Sequence, residues 1–150
     1  MNSKELKTIL DDHALYLLTE GKEGAIANLN RAELRGIDLN QTQLRDADLS
    51  HSNLSRSSLR LANLRGANLT GSDLSCTDLR DSDLRFANLS CANFVDSDLR
   101  FTNLRDSDLR GADLRGADLR ESNLRDADLR GAKLKGADLT DANLEGAEFD

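Results

Sequence analysis

A chain of 150 residues with no Pro or Trp, 3% aromatics and a formal charge of -7 has room for one domain and not for two. That charge argues against bare nucleic acid or an anionic membrane as a direct partner, and leaves basic proteins and mimicry of DNA open. No segment is apolar enough to span a bilayer, and Met1 to Leu18 lacks the basic start and apolar stretch of a secretory signal, so a cytoplasmic protein is expected. Cys76 and Cys91 are the only cysteines, too few for a disulfide scaffold, and are expected as free thiols.

Residues 1–25 carry a helical stripe, with apolar residues three and four apart at Leu6, Ile9, Leu10, Ala14, Leu17 and Leu18. Asn2 with Glu5 three places later has the form of a capping box, and Gly21 is placed to end a helix. Asp11-Asp12 could instead start a second helix, so one helix and two are both compatible with the pattern. The stripe suits a cap over whatever follows.

Residues 26–150 follow a five-residue rule. From Leu29 to Phe149 every fifth residue is Leu, or Phe at 94 and 149, which makes 25 positions without an insertion. Two places earlier stands a small residue such as Ala32, Thr42, Ser52 or Ala67, with Ile37 the one larger member; just before Leu stands mostly Asp or Asn. Every glycine after Gly24 falls two places after a Leu. An α-helix would advance about 500° in five residues and smear the leucines over all sides. A straight strand would send them alternately to opposite faces. The chain must therefore turn a corner once per repeat, with Leu and the small residue inside and the other three residues facing water. The slot two after Leu is then the second corner of a β-turn, where Gly takes positive φ freely. Where that slot holds Asp46, Asp81, Phe86, Asp96, Phe101 or Asp126, a different turn is expected.

Units such as Ala67-Asn68-Leu69 and Ala112-Asp113-Leu114-Arg115-Gly116 resemble the pentapeptide-repeat family over about residues 27 to 150. The resemblance implies an all-β solenoid, a right-handed quadrilateral β-helix with four repeats per coil and about six coils, here behind an N-terminal α-helical cap. Helical leaders with a His and a ring residue ahead of the repeats are also similar to those of bacterial members. Some members mimic DNA and protect DNA gyrase from quinolones, so that activity is the alternative to a plain scaffold.

With coils of twenty residues, positions twenty apart stack. Arg45, Arg65, Arg85, Arg105 and Arg125 then form one column and Arg60, Arg80, Arg100 and Arg120 the next. Asp38, Asp78, Asp98, Asp118 and Asp138 flank the second column, and mainly neutral Gln43, Asn63, Asn103, Asn123 and Asn143 flank the first. Two uses fit: solvated faces whose charges offset one another, or a strip for an acidic partner. Phe86 and Phe101 face outward on adjacent corners, with Leu61 near, and either lie over their own turns or touch a partner.

No catalytic, cofactor or metal site is legible. His13 and His51 are expected as satisfied surface histidines with no nucleophile beside them, and no Gly-rich phosphate loop or inserted loop exists. The expected function is a non-enzymatic structural or protein-binding scaffold with an unknown protein partner. The gyrase-protecting alternative fits less well, because residues 26–150 hold 17 Lys or Arg against 22 Asp or Glu, a poor likeness of a uniformly anionic backbone. The pattern runs to Phe149, so the last coil is expected either to pair with a second copy as a homodimer or to stay solvated behind Glu145, Glu148 and Asp150.

Overall fold

The computed structural model describes residues 1–150. Helix α1, Ser3–Leu18, opens the chain. Asn2 Oδ1 accepts the Glu5 N–H at 2.9 Å and Glu5 Oε2 accepts the Asn2 N–H at 2.9 Å, which completes the capping box. Asp11 and Asp12 lie exposed inside the continuous helix, so the cap is one helix and not two. The chain leaves it through Glu20 and Gly21, both at positive φ. At Gly24 it returns against the helix: a Cβ there would fall 2.2 Å from the Asp12 carbonyl oxygen, so only glycine fits.

The face that α1 buries departs from the expected stripe. Leu6 and His13 are buried and Ile9 and Leu10 pack beside them, whereas Ala14 and Leu18 face solvent. His13, expected on the surface, has no accessible area. Its Nδ1 accepts the Ala27 N–H at 3.1 Å, which ties the helix to the first repeat. That acceptor role places the ring proton on Nε2, which has no hydrogen-bond partner. Tyr16 stacks on the ring at a centroid distance of 6.4 Å.

From Asn28 onward every bridge is parallel and joins residues twenty apart, the column Asn28, Asp48, Asn68, Asn88, Asp108, Asp128, Glu148 running the length of the rod. Four repeats therefore make one coil with four faces. We call these the first (Leu29, Leu49, Leu69), second (Leu34, Leu54, Leu74), third (Leu39, Leu59, Leu79) and fourth (Leu44, Leu64, Leu84). Their leucines and Phe94, with the alanines two places earlier, form one continuous core of 32 buried residues together with Leu6.

One repeat, Ala67 to Gly71, shows how the backbone is satisfied. The Ala67 N–H closes the turn on the Leu64 carbonyl at 3.0 Å, Asn68 N–H reaches back to the Ala47 carbonyl at 2.9 Å, and Leu69 and Gly71 N–H reach forward to Asn88 and Ser90 at 2.7 and 2.9 Å. The remaining amide, Thr70 N–H, donates to Asn68 Oδ1 at 3.2 Å. Asp or Asn before Leu is thus an Asx turn that supplies the acceptor no neighbouring coil provides. Arg35, Arg45 and Lys135, two places after Glu33, Gln43 and Lys133, lack that bond, and Arg60, two places after Ser58, donates instead to Asn40 Oδ1 of the preceding coil at 2.8 Å. Buried serines in the small slot donate to the preceding Leu carbonyl, as Ser52 does to Leu49 at 2.7 Å, which lets a hydroxyl enter the core without penalty.

The expected change of turn at non-glycine corners does not occur. Asp46, Asp81, Phe86, Asp96, Phe101 and Asp126 have φ of 56 to 60°, in the same left-handed region as the glycines. An L-residue pays roughly 1–2 kcal/mol there, and the turn bond and the forward bond of that same corner, each worth about 1 kcal/mol net, hold it in place.

At the far end Leu134 and Leu139 are half-buried and Leu144 and Phe149 are exposed. Near the start, a cavity of about 400 Å3 opens between α1 and the first coil, lined by Leu6, Leu10, Leu34 and Ile37. Ile37, the one large member of the small-residue slot, partly fills it.

Leu74 is 1% exposed, and Leu74→Asp should abolish folding, since a charge in that dry column has neither water nor a partner; a variant that keeps a cooperatively melting native circular dichroism signal would contradict the inward assignment. Burial holds the His13 imidazole below its usual range, against the opposing pull of the Arg45 and Ala25 carbonyls and Asp46. With the folded value depressed, the stabilisation is complete above the unfolded value of about 6.5 and declines as pH falls below it. Helical signal from α1 should therefore melt earlier at about pH 5 than at about pH 7, and His13→Asn, which keeps an acceptor for Ala27, should remove that difference.

Candidate functional site

The two predicted arginine columns are both present, and the structure gives them different chemistry. On the third face Arg80, Arg100 and Arg120 each clasp the aspartate two places earlier, Asp78, Asp98 and Asp118, at 2.6 Å. The same guanidiniums reach Asp98, Asp118 and Asp138 of the following coil at 3.5, 3.5 and 3.7 Å. Carboxylate and guanidinium thus alternate along the rod. Arg60, below this ladder, pairs instead with Asp81 at 3.3 Å.

The Arg80 and Arg120 forks hold the Asp78 and Asp118 carboxyls below the usual carboxylate range. Sequence reasoning missed a second ladder on the first face, where Arg110 and Arg130 clasp Asp108 and Asp128. Arg110 continues to Asp128 at 3.6 Å and Arg130 to Glu148 at 3.4 Å. The Arg130 fork lowers Asp128 to about 2. The signal was available as Asp-Leu-Arg repeated twenty residues apart, since the Asp that caps its turn also faces the arginine two places on.

The fourth face is different. Arg45, Arg105 and Arg125 turn sideways to the corner aspartates Asp46, Asp106 and Asp126 at 3.1 to 3.2 Å, pairs exposed enough to contribute little. Arg85 clasps Asp83 at 2.6 Å. Arg65 has no carboxylate partner; its guanidinium lies 5.2 Å from the centroid of the Phe86 ring, a cation–π contact. Asp83 is the one carboxylate in the column before Leu, whose other members are Gln43, Asn63, Asn103, Asn123 and Asn143.

Three apolar side chains edge this face. Leu61 and Phe101 occupy the corner before it, two coils apart, and Phe86 the corner after it at the level between them. Their exposures are 49%, 50% and 52%, so each leaves about half of its side chain open to solvent. All three have φ of 59 to 60°, a region in which a bulky side chain is uncommon and strained. Val95, on the second face, is half-buried and apart from them.

His51 is exposed at its corner and leans over Gly71. Both cysteines are free and exposed. No three His, Cys, Asp or Glu side chains converge as a metal site would require.

The pentapeptide-repeat profile matches this chain in eight copies, over residues 27–66, 62–100, 97–136 and 122–150. No curated protein matches it at a significant level. Among solved structures, HetL from the cyanobacterium Nostoc sp. strain PCC 7120, a pentapeptide repeat protein involved in heterocyst differentiation regulation, is 37% identical with a TM-score of 0.56, over 82% of this chain and 60% of HetL. A pentapeptide repeat protein of the Arabidopsis thaliana thylakoid lumen is 32% identical with a TM-score of 0.67, over 68% of this chain and 71% of that one. Rfr23 from the cyanobacterium Cyanothece 51142 is 39% identical with a TM-score of 0.52, over 62% of this chain and 60% of Rfr23. This chain therefore spans about 60% of the length of HetL and of Rfr23. These likenesses imply for its four-sided coil the right-handed quadrilateral β-helix. A profile that covers nearly every residue from 27 to 150, together with bridges at a constant twenty-residue interval, establishes that this chain belongs to the pentapeptide-repeat family.

Proposed function

We propose that this protein is a non-enzymatic scaffold that binds another protein through its fourth face. The observation that carries the reading is the cluster of Leu61, Phe86 and Phe101, strained at positive φ and half exposed around Arg65, Arg85 and Arg105. Other non-glycine corners are mostly polar, as at Asp46, Asp81 and Asp106, so large apolar groups left half exposed at these three corners point to a contact surface. The other two arginine-bearing ladders have their charge taken up by aspartates of the same and the next coil. On the fourth face Arg65 has no carboxylate partner and Arg45, Arg105 and Arg125 make exposed pairs, while Arg85 alone is clasped by the aspartate two places earlier, and a column so little paired suits an acidic partner. Mimicry of DNA fits less well, since a phosphate backbone carries one sign of charge along its whole length and every ladder here alternates in sign.

Capture of partners from a lysate of the source organism should retain a protein that Arg65→Glu, Arg85→Glu and Arg105→Glu together release, while Arg110→Gln on the first face retains it. Equal capture by both variants would contradict the fourth face as the contact, and relief of quinolone inhibition of gyrase by the purified protein would favour the mimic instead.

Strain at the same corners gives a second expectation. Phe101→Gly removes a left-handed cost of roughly 1–2 kcal/mol and adds glycine's unfolded-state entropy of roughly 0.5–1 kcal/mol. Chemical denaturation should find the variant more stable by roughly 0.5–1 kcal/mol; a clear loss of stability would mean that the ring serves the fold.

A further inference from the structure

The spacing of the fourth face defines the shape of its partner. We infer that the segment it takes is an acidic amphipathic α-helix lying along the solenoid axis; the inference rests on the reading of that face as the protein's contact surface. Arg65, Arg85 and Arg105 stand on consecutive coils, about 4.8 Å apart per coil and so about 9.6 Å from first to third. On an α-helix the residues i, i+3 or i+4, and i+7 share one side and span about 10.5 Å. Three carboxylates in that register meet three guanidiniums with a mismatch of about 1 Å over the whole run. An extended strand presents same-side residues about 6.6–6.8 Å apart and overshoots the third arginine by roughly 4 Å.

The surroundings of the column narrow the choice further. Phe86 on one edge and Leu61 with Phe101 on the other stand across the face from each other, where the flanks of a helix, beside its acidic line, come within reach of both corners. The corner carboxylates Asp46, Asp81, Asp106, Glu121 and Asp126 border the same strip, so a wide polyanion such as duplex DNA meets repulsion on both sides, whereas a single acidic line does not. Arg45 and Arg105 can exchange their corner aspartates, and Arg125 its Asp126 and Glu145, for partner carboxylates at little cost, and Arg85, held by Asp83 through Nε and Nη2, keeps Nη1 to meet one. Arg65 needs no exchange at all, since it has no carboxylate partner and rests over the Phe86 ring.

The probe is a fluorescein-labelled peptide of about four helical turns, stapled as a helix, with Glu on the i, i+4, i+7 line and Leu on the neighbouring stripe. A stapled peptide of the same composition with that order scrambled and a labelled duplex DNA are the comparisons, all followed by anisotropy with the full chain. The expected result is binding of the registered peptide at least tenfold tighter than the scrambled one, weakening as salt rises. Arg65→Glu with Arg85→Glu should weaken it at least tenfold and Phe86→Gly with Phe101→Gly severalfold, while Arg110→Gln leaves it unchanged. Melting of each variant by circular dichroism establishes that it is folded. Equal affinity for the two peptides, tighter binding of the duplex, or an equal loss in Arg110→Gln would overturn the inference. A native partner released by Arg65→Glu alongside a helical peptide that fails to bind would overturn the helix and leave the scaffold standing.

Discussion

Every amide of a pentapeptide has to find an acceptor, and a chain that turns every five residues cannot supply five acceptors from within one repeat. Three of the five N–H groups in the Ala67 to Gly71 repeat bond to other coils, one closes the turn and one is taken by the preceding Asn side chain. A coil thus has no stability apart from its neighbours, and the fold is cooperative along one dimension. The same requirement explains the order of residue types. Leu fills the core, the small residue admits the next face, and Asp or Asn caps the turn. The ladder holds the last corner at positive φ whether or not glycine is there.

This backbone requirement also governs what the surface can do. The Asp before Leu accepts the amide of the residue after it, so an Arg in that later position is brought within reach of the same carboxylate, as in Asp98-Leu99-Arg100. Charge pairing on the third and first faces is in this sense a by-product of turn chemistry, extended from coil to coil by the twenty-residue stacking. Where Asn replaces Asp, the turn is capped equally well and the arginine is left without that partner, which is the situation of Arg65 and Arg105 on the fourth face. A neutral substitution that costs the fold nothing is what frees a guanidinium for another molecule.

Much of this architecture is legible from the residues, because a buried Leu every five positions admits neither helix nor strand. The capping box at Asn2 and Glu5 is equally local and equally legible. His13 was not, since its burial depends on where α1 crosses the first coil and meets the Ala27 amide. The uniform positive φ was missed at Phe86 and Phe101 because local preference favours a different turn, and the inter-coil ladder overrides that preference. Both arginine columns could be placed from the register alone. Which one is occupied by its own aspartates follows from bidentate geometry that spacing does not reveal.

Amide hydrogen exchange resolved by residue tests the claim that inter-coil bonds hold the solenoid together. In the middle coils, Leu69, Leu89 and Leu109, whose N–H groups bond forward to the next coil, should be protected to nearly the full global stability. Amides held only by an Asx turn, such as Thr70 and Ser90, should exchange through smaller local openings, which gives a protection pattern with a five-residue period. Uniform fast exchange, or protection confined to α1, would contradict the account.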